Sequence, residues 1–178
     1  VDEHTIRAIG MLHDIEQGEP VEELPLACEL ARHVESRRTL FVALLCHDIA
    51  KGSGGDHAVL GAHIARKVSV RLGLNAAETD SAAWLVEHQM LLSDHALRRD
   101  VNDPKTIADL VTAIQSPERL RLLLLLTVCD MRAVGPQVWN RWKGALLRDL
   151  FYRTEEAMGT NVLFATRTDV SAHKQAFI

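Results

Sequence analysis

LFVALLCHDIAK, Leu40 to Lys51, runs through seven apolar residues before it reaches a histidine and an aspartate side by side, with a lysine three positions on. Its Ala and Leu content and its length favour a helix over a buried strand. A helix that is apolar on every side is one surrounded by other helices. Taking a carboxylate and an imidazole into such surroundings is costly unless something compensates. A divalent metal ion does so for an adjacent His-Asp pair, and a satisfied polar pair at a helix end is the plainer alternative.

Working outward, no alternating strand pattern or hairpin turn appears before Gly159, and the punctuation is helical throughout. Asp2 is placed to cap a first helix whose apolar side is Ile6, Ile9, Leu12 and Ile15, ending near Gly18 to Pro20. Leu26, Leu30, Ala31 and Val34 give a short second helix after Pro25. Gly52 to Asp56, GSGGD, ends the central helix, and His57 opens another that runs to about Leu72. Asn75 with Glu78 reads as a capping box for a helix through Trp84, Leu85, His88 and Leu91 or Leu92. Asp103-Pro104 and Ser116-Pro117 each pair a cap with a first-turn proline. The second of these starts RLRLLLLLTVCD, again apolar nearly all round and ending in Asp130. A last helix covers Gln137 to Met158. The expected architecture is an all-α bundle of seven to eight helices over residues 1–159, with 160–178 an unassigned tail or linker.

A chain of 178 residues fits one domain with a core large enough to stand without disulfides or structural metal, so a metal here implies chemistry. With 47% hydrophobic residues, 25% charged residues and a net charge of -4, it lacks the basic surplus of a nucleic-acid binder. No apolar run approaches the roughly twenty residues of a membrane span, and no signal peptide is evident. Cys28, Cys46 and Cys129 are far apart in sequence and read as reduced, buried thiols of a cytoplasmic protein. The start at VDEHT suggests a piece of a longer polypeptide.

Asp48 and Asp130 both sit where an all-apolar helix should exclude a carboxylate. Arg132 is the nearest structural partner for Asp130 if no metal is involved. His4, His47, His57 and His88 lie at helix starts or on inner faces, while His13, His33, His63, His95 and His173 read as surface or core histidines. A catalytic ion needs about three or four protein ligands of mixed N and O type. Separate helices of a bundle can supply them.

His4, His47-Asp48 and Asp130 resemble the H, HD, D signature of the HD-domain phosphohydrolases, all-α proteins that bind divalent metals and hydrolyse phosphate esters. The closer resemblance is to the HD domain of bacterial bifunctional uridylyltransferase/uridylyl-removing enzymes, which act on the nitrogen-regulatory PII protein. It is carried by VDEHT (1–5), LLCHDIAKGSGGDHAVLGA (44–62), WLVEHQMLLS (84–93), RRDVNDP (98–104), LLLLTVCDMRAVGP (123–136) and WNRWKGALLRDL (139–150). That family's full-length enzyme also has a nucleotidyltransferase domain before this region and small-molecule-sensing ACT domains after it. Neither is found here, and the chain has His88-Gln89 where the family usually reads two histidines.

The resemblance implies one ion held by His4, His47, Asp48 and Asp130, and a second held by His57 and His88 with Asp48 bridging. The ions would be Mn, Fe, Mg or Zn, and the substrate uridylylated PII, releasing UMP. Lys51 either neutralises a phosphoryl oxygen or is a solvated lysine at a helix end. Asp56 either orients a ligand histidine or caps the helix at His57. Arg98 and Arg99 are candidates for substrate phosphate, with Arg99 favoured. Trp139 and Trp142 read as core more than as a uracil stack. A phosphohydrolase of another nucleotide, or a non-catalytic module that binds metal or nucleotide, are the competing readings.

Overall fold

The computed structural model describes residues 2–19, 22–54 and 56–159, apart from the side chain of Asp2. The expected Asp2 cap and the tail at 160–178 therefore lie outside the described residues. Among those residues every regular element is a helix, as the all-α reading requires: α1 Asp2–Gln17, α2 Pro25–Ala31, α3 Arg37–Cys46, α4 His57–Arg71, α5 Ala76–Glu87, α6 Leu91–Arg98, α7 Pro104–Ile114, α8 Pro117–Val134 and α9 Arg141–Ala157. None is long and apolar enough to cross a membrane.

Helix starts follow local chemistry. The Ser36 side chain accepts from the Thr39 amide, which sets the start of α3 three residues ahead of its apolar run. Asn75 and Glu78 make the reciprocal capping box of α5. Asp103 and Ser116 cap α7 and α8, each with proline in the first turn. Asn140 accepts from the Lys143 amide, so α9 begins at Arg141 and not at Gln137. Trp139 stays outside the helix and lays its ring over Gly144, where an added Cβ would come within 3.0 Å of it. Trp142 is 63% exposed, which corrects its placement in the core.

Helix ends depart further from the expected pattern. Helix α3 stops at Cys46, and residues 47–51 continue as tight turns with the Ile49 amide on the Cys46 carbonyl and the Lys51 amide on the Asp48 carbonyl. The helix expected through residues 75–92 is two, because the chain turns at 88–90 between α5 and α6. In α1 the buried side is Thr5, Ala8, Leu12 and Ile15, while Ile6 is exposed. The ring of His4 shares that inner side, one turn before Ala8.

Helix α8 is the axis. Leu120, Leu122 to Leu126, Val128 and Cys129 are all buried, and the helix packs against α1, α2, α3, α5, α6, α7 and α9. Each buried leucine contributes roughly 1.5–3 kcal/mol relative to exposure. Helix α3 lies beside α1, α5 and α8 with Leu40, Val42, Ala43, Leu44 and Cys46 buried, although Leu45 reaches solvent. Cys28, Cys46 and Cys129 are free and buried. Burial pushes the Cys46 thiol up to about 11 and the Cys28 and Cys129 thiols upward as well, so none is a ready nucleophile.

Candidate metal centre

Three packed helices deliver polar groups to one point. His4 comes from the first turn of α1, His47 and Asp48 from the turns that end α3, and Asp130 from the last third of α8. His4 Nε2 lies 2.8 Å from Asp130 Oδ1 and 3.1 Å from His47 Nε2. His47 Nε2 lies 3.5 Å from Asp130 Oδ1 and 3.9 Å from Asp48 Oδ2. One ligand atom from each of His4, His47 and Asp48 falls within 4.8 Å of the others. Ligands about 2.1 Å from a common ion sit about 3.0–3.4 Å apart at tetrahedral or octahedral angles. The separations observed bracket that range, and the N and O donor set suits a divalent ion.

The ring of His47 is fixed. Its Nδ1–H donates to the Leu44 carbonyl at 2.7 Å, which turns Nε2 and its lone pair toward Asp130 and His4. Burial disfavours charge on this imidazole, but the hydrogen bond and charge of Asp130, the Leu44 carbonyl and the charge of Asp48 outweigh it and raise its pKa. Burial likewise opposes ionisation of Asp130, and the two histidines reverse that, holding its carboxyl below the ordinary range. Arg132 is not its partner, because that guanidinium bonds Glu23 at 2.6 Å. Lys51 Nζ donates to Asp48 Oδ2 at 2.8 Å, and this bond first, then Asp48's charge, raises the lysine pKa.

The cluster opens into a pocket of about 690 Å³, also lined by Lys51, His57, Gln89, Met90, Leu97, Arg98, Val134 and Lys143 among others. His57 stands there exposed at the start of α4. Asp56 caps that helix, accepting from the Ala58 and Val59 amides, which favours the capping role over the orientation of a ligand histidine. His88 is not brought to the pocket lining. Its ring stacks on Trp84 at 4.5 Å and its Nδ1–H donates to the Trp84 carbonyl at 3.0 Å, because it falls at the C-cap of α5 and turns back over its own helix. The neighbouring Gln89 lines the pocket in its place. Arg99 is likewise off the lining, bonded to Asp109 at 2.7 Å, whereas Arg98 faces in. Neither Trp139 nor Trp142 lines it, nor do the glycines of GSGGD. A second pocket, about 670 Å³ between α2, α8 and α9, contains no histidine.

Gln89, Lys143, Met90, Leu97 and Val134 were not legible as pocket residues from sequence. The one available signal was the replacement of the family's second histidine by Gln89. The all-α bundle brings His4, His47 and Asp48 into a group that could hold a metal ion, with Asp130 beside the two histidines, and the HD domain family model matches residues 20–130. The chain belongs to the HD domain family. His4 precedes the matched stretch and Asp130 closes it.

The chain is 59% identical over 158 residues to the bifunctional uridylyltransferase/uridylyl-removing enzyme of Azospirillum brasilense, covering 89% of this chain and 17% of that protein. It is 61% identical over 158 residues to the enzyme of the same name from Novosphingobium aromaticivorans, with the same coverage. With that of Rhodospirillum rubrum it shares 48% identity over 174 residues, 98% of this chain and 19% of the relative. The chain thus spans less than a fifth of these curated relatives' length.

Proposed function

We propose that this domain is a divalent-metal-dependent phosphodiesterase that removes UMP from a uridylylated tyrosine of PII. The observation that carries the reading is the convergence of His4, His47, Asp48 and Asp130 at the end of a pocket whose walls also bear Lys51, Arg98 and Lys143. The relatives' names supply the uridylyl-removing reaction, and membership of the HD domain family supplies the choice of ester hydrolysis. Three unpaired cysteines agree with a cytoplasmic setting.

His4, His47, Asp48 and Asp130 would hold the ion. A divalent ion there supplies Lewis acidity and lowers the pKa of a bound water. The chain's own part is preorganisation. The Leu44 carbonyl fixes the tautomer of His47, and Lys51 holds Asp48 while keeping an ammonium at the pocket for a phosphoryl oxygen. Arg98, half-committed to Asp94 at 3.4 Å, and Lys143, whose Nζ donates to the Val138 carbonyl at 2.7 Å, bring cations from other walls. In the net step water adds to phosphorus, the bond from phosphorus to the tyrosyl oxygen breaks, and the phenol leaves with a proton. Met90, Leu97 and Val134 line the pocket as exposed apolar groups that suit the nucleoside or the aromatic leaving group.

The test is release of UMP from uridylylated PII by metal-stripped protein resupplied with Mn²⁺, Fe²⁺, Mg²⁺ or Zn²⁺ in turn. Release with at least one ion and none in chelator is expected. Cleavage of other nucleotides without any release of UMP would replace this reading with a phosphohydrolase of different substrate. Tight metal binding with no cleavage at all would leave a binding module.

A further inference from the structure

The ligand-type side chains around the pocket fall into two unequal sets. Four of them, His4, His47, Asp48 and Asp130, crowd one corner. Elsewhere the lining offers His57, which is exposed, and Asp94, which faces the Arg98 guanidinium. A second ion would need to share a carboxylate with the first and find further donors of its own. Beyond Asp48 and Asp130, the described lining carries one further carboxylate, Asp94. His88, which the resemblance assigns to a second ion, is stacked on Trp84.

Gln89 shows what the pocket does instead. Its Nε2 donates to the His47 carbonyl at 2.8 Å, tying the α5–α6 turn to the backbone of the His-Asp corner. That carbonyl belongs to the residue capping the end of α3, where helix geometry leaves acceptors without amides four residues on. Being neutral, Gln89 brings hydrogen bonding to the pocket without the negative charge a second cation would demand.

We infer, on the reading given under Proposed function, that this pocket is built for a single divalent ion, with Gln89 as the positioning residue that holds the His47-Asp48 corner through the His47 carbonyl. The experiment is equilibrium dialysis of the metal-stripped chain against Mn²⁺, with the bound metal counted by mass spectrometry and its electron paramagnetic resonance recorded. One ion per chain with the spectrum of an isolated Mn²⁺ is expected. Two per chain, or an exchange-coupled pair, overturns the inference while leaving the hydrolase reading standing. No binding at millimolar Mn²⁺ sinks both. Gln89→Leu should still bind one ion, with its Kd weakened about tenfold, the scale of losing an outer partner of a metal ligand. Its melting temperature in chelator should fall only by the few degrees that losing one hydrogen bond implies, with circular dichroism unchanged, which separates positioning from general folding. An unaltered Kd in that variant overturns the role of Gln89, and the wild-type count does not depend on the variant folding.

Discussion

The corner built by α1, α3 and α8 and the facing wall built by the α5–α6 turn, α6 and the start of α9 bound one pocket by opposite means. At the corner His47 is 3% exposed, its Nδ1 bonds the Leu44 carbonyl of α3 and its Nε2 faces Asp130 of α8 at 3.5 Å. On the facing wall Met90 and Leu97 are 51% and 38% exposed, and Arg98 and Lys143 reach in on flexible stems. The corner is rigid because its ligand directions must be held to a fraction of an ångström. The wall presents apolar and cationic groups whose rotamers can adjust to a substrate. Metal binding should therefore depend on the corner and on the Gln89 bond that ties the wall to it, and substrate affinity mainly on the rest of the wall.

The largest effect that would break this division is at the corner. Asp48→Ala and Asp130→Ala should each abolish stoichiometric metal binding, and lower UMP release by more than the roughly 10–100-fold typical of an outer-partner change. Circular dichroism should show helicity largely retained, because both carboxylates lie at the pocket and not among the buried leucines. Full metal occupancy in Asp48→Ala would mean that the corner is not the site.

Next in size is the support behind the corner. Leu125 is fully buried in α8, five residues before Asp130. Leu125→Ala should cost about 2–5 kcal/mol of unfolding free energy, read by urea denaturation in chelator. A loss under about 1 kcal/mol would show that α8 is not the packed axis that its burial implies.

On the wall the effects should be smaller and of a different kind. Arg98→Ala is expected to raise the KM for uridylylated PII by roughly tenfold, the scale of one charge-assisted hydrogen bond, with the Mn²⁺ Kd unchanged. Arg99→Ala should do little, because that guanidinium is engaged by Asp109. The reverse ranking would restore the arginine favoured by sequence.

The asymmetry between corner and wall also explains what could be read from the sequence. His47, Asp48 and Asp130 were legible because each interrupts an apolar run, and an ionisable group in such a run demands a partner. Helix starts were legible because Asn75, Asp103 and Ser116 cap through bonds spanning two or three residues. The end of α3, the turn at 88–90 and the choice between His88 and Gln89, or Arg98 and Arg99, were not. Adjacent helical residues point about 100° apart, so which of two neighbours enters the pocket is decided by how α5 and α6 seat on α3 and α8.

The smallest effect concerns pH, and it distinguishes the corner with and without metal. In chelator the charged forms of His47 and Asp130 favour each other, with the imidazole pKa raised and the carboxyl pKa lowered. A raised histidine contributes stability that is fully present below its unfolded value of about 6.5 and is lost as pH rises through the higher folded value. A lowered aspartate contributes stability present above about 3.9 and lost as pH falls through its folded value. The pair therefore helps the metal-free protein most between about pH 4 and 6.5, and its unfolding free energy should decline slightly from pH 6 to pH 8.5 in chelator. Metal requires His47 Nε2 free of its proton, so added Mn²⁺ should reverse the slope over the same range. Asp130→Asn should flatten the decline in chelator by removing the charge that raises the imidazole. A slope unaffected by that substitution would place the titrating group elsewhere than the corner.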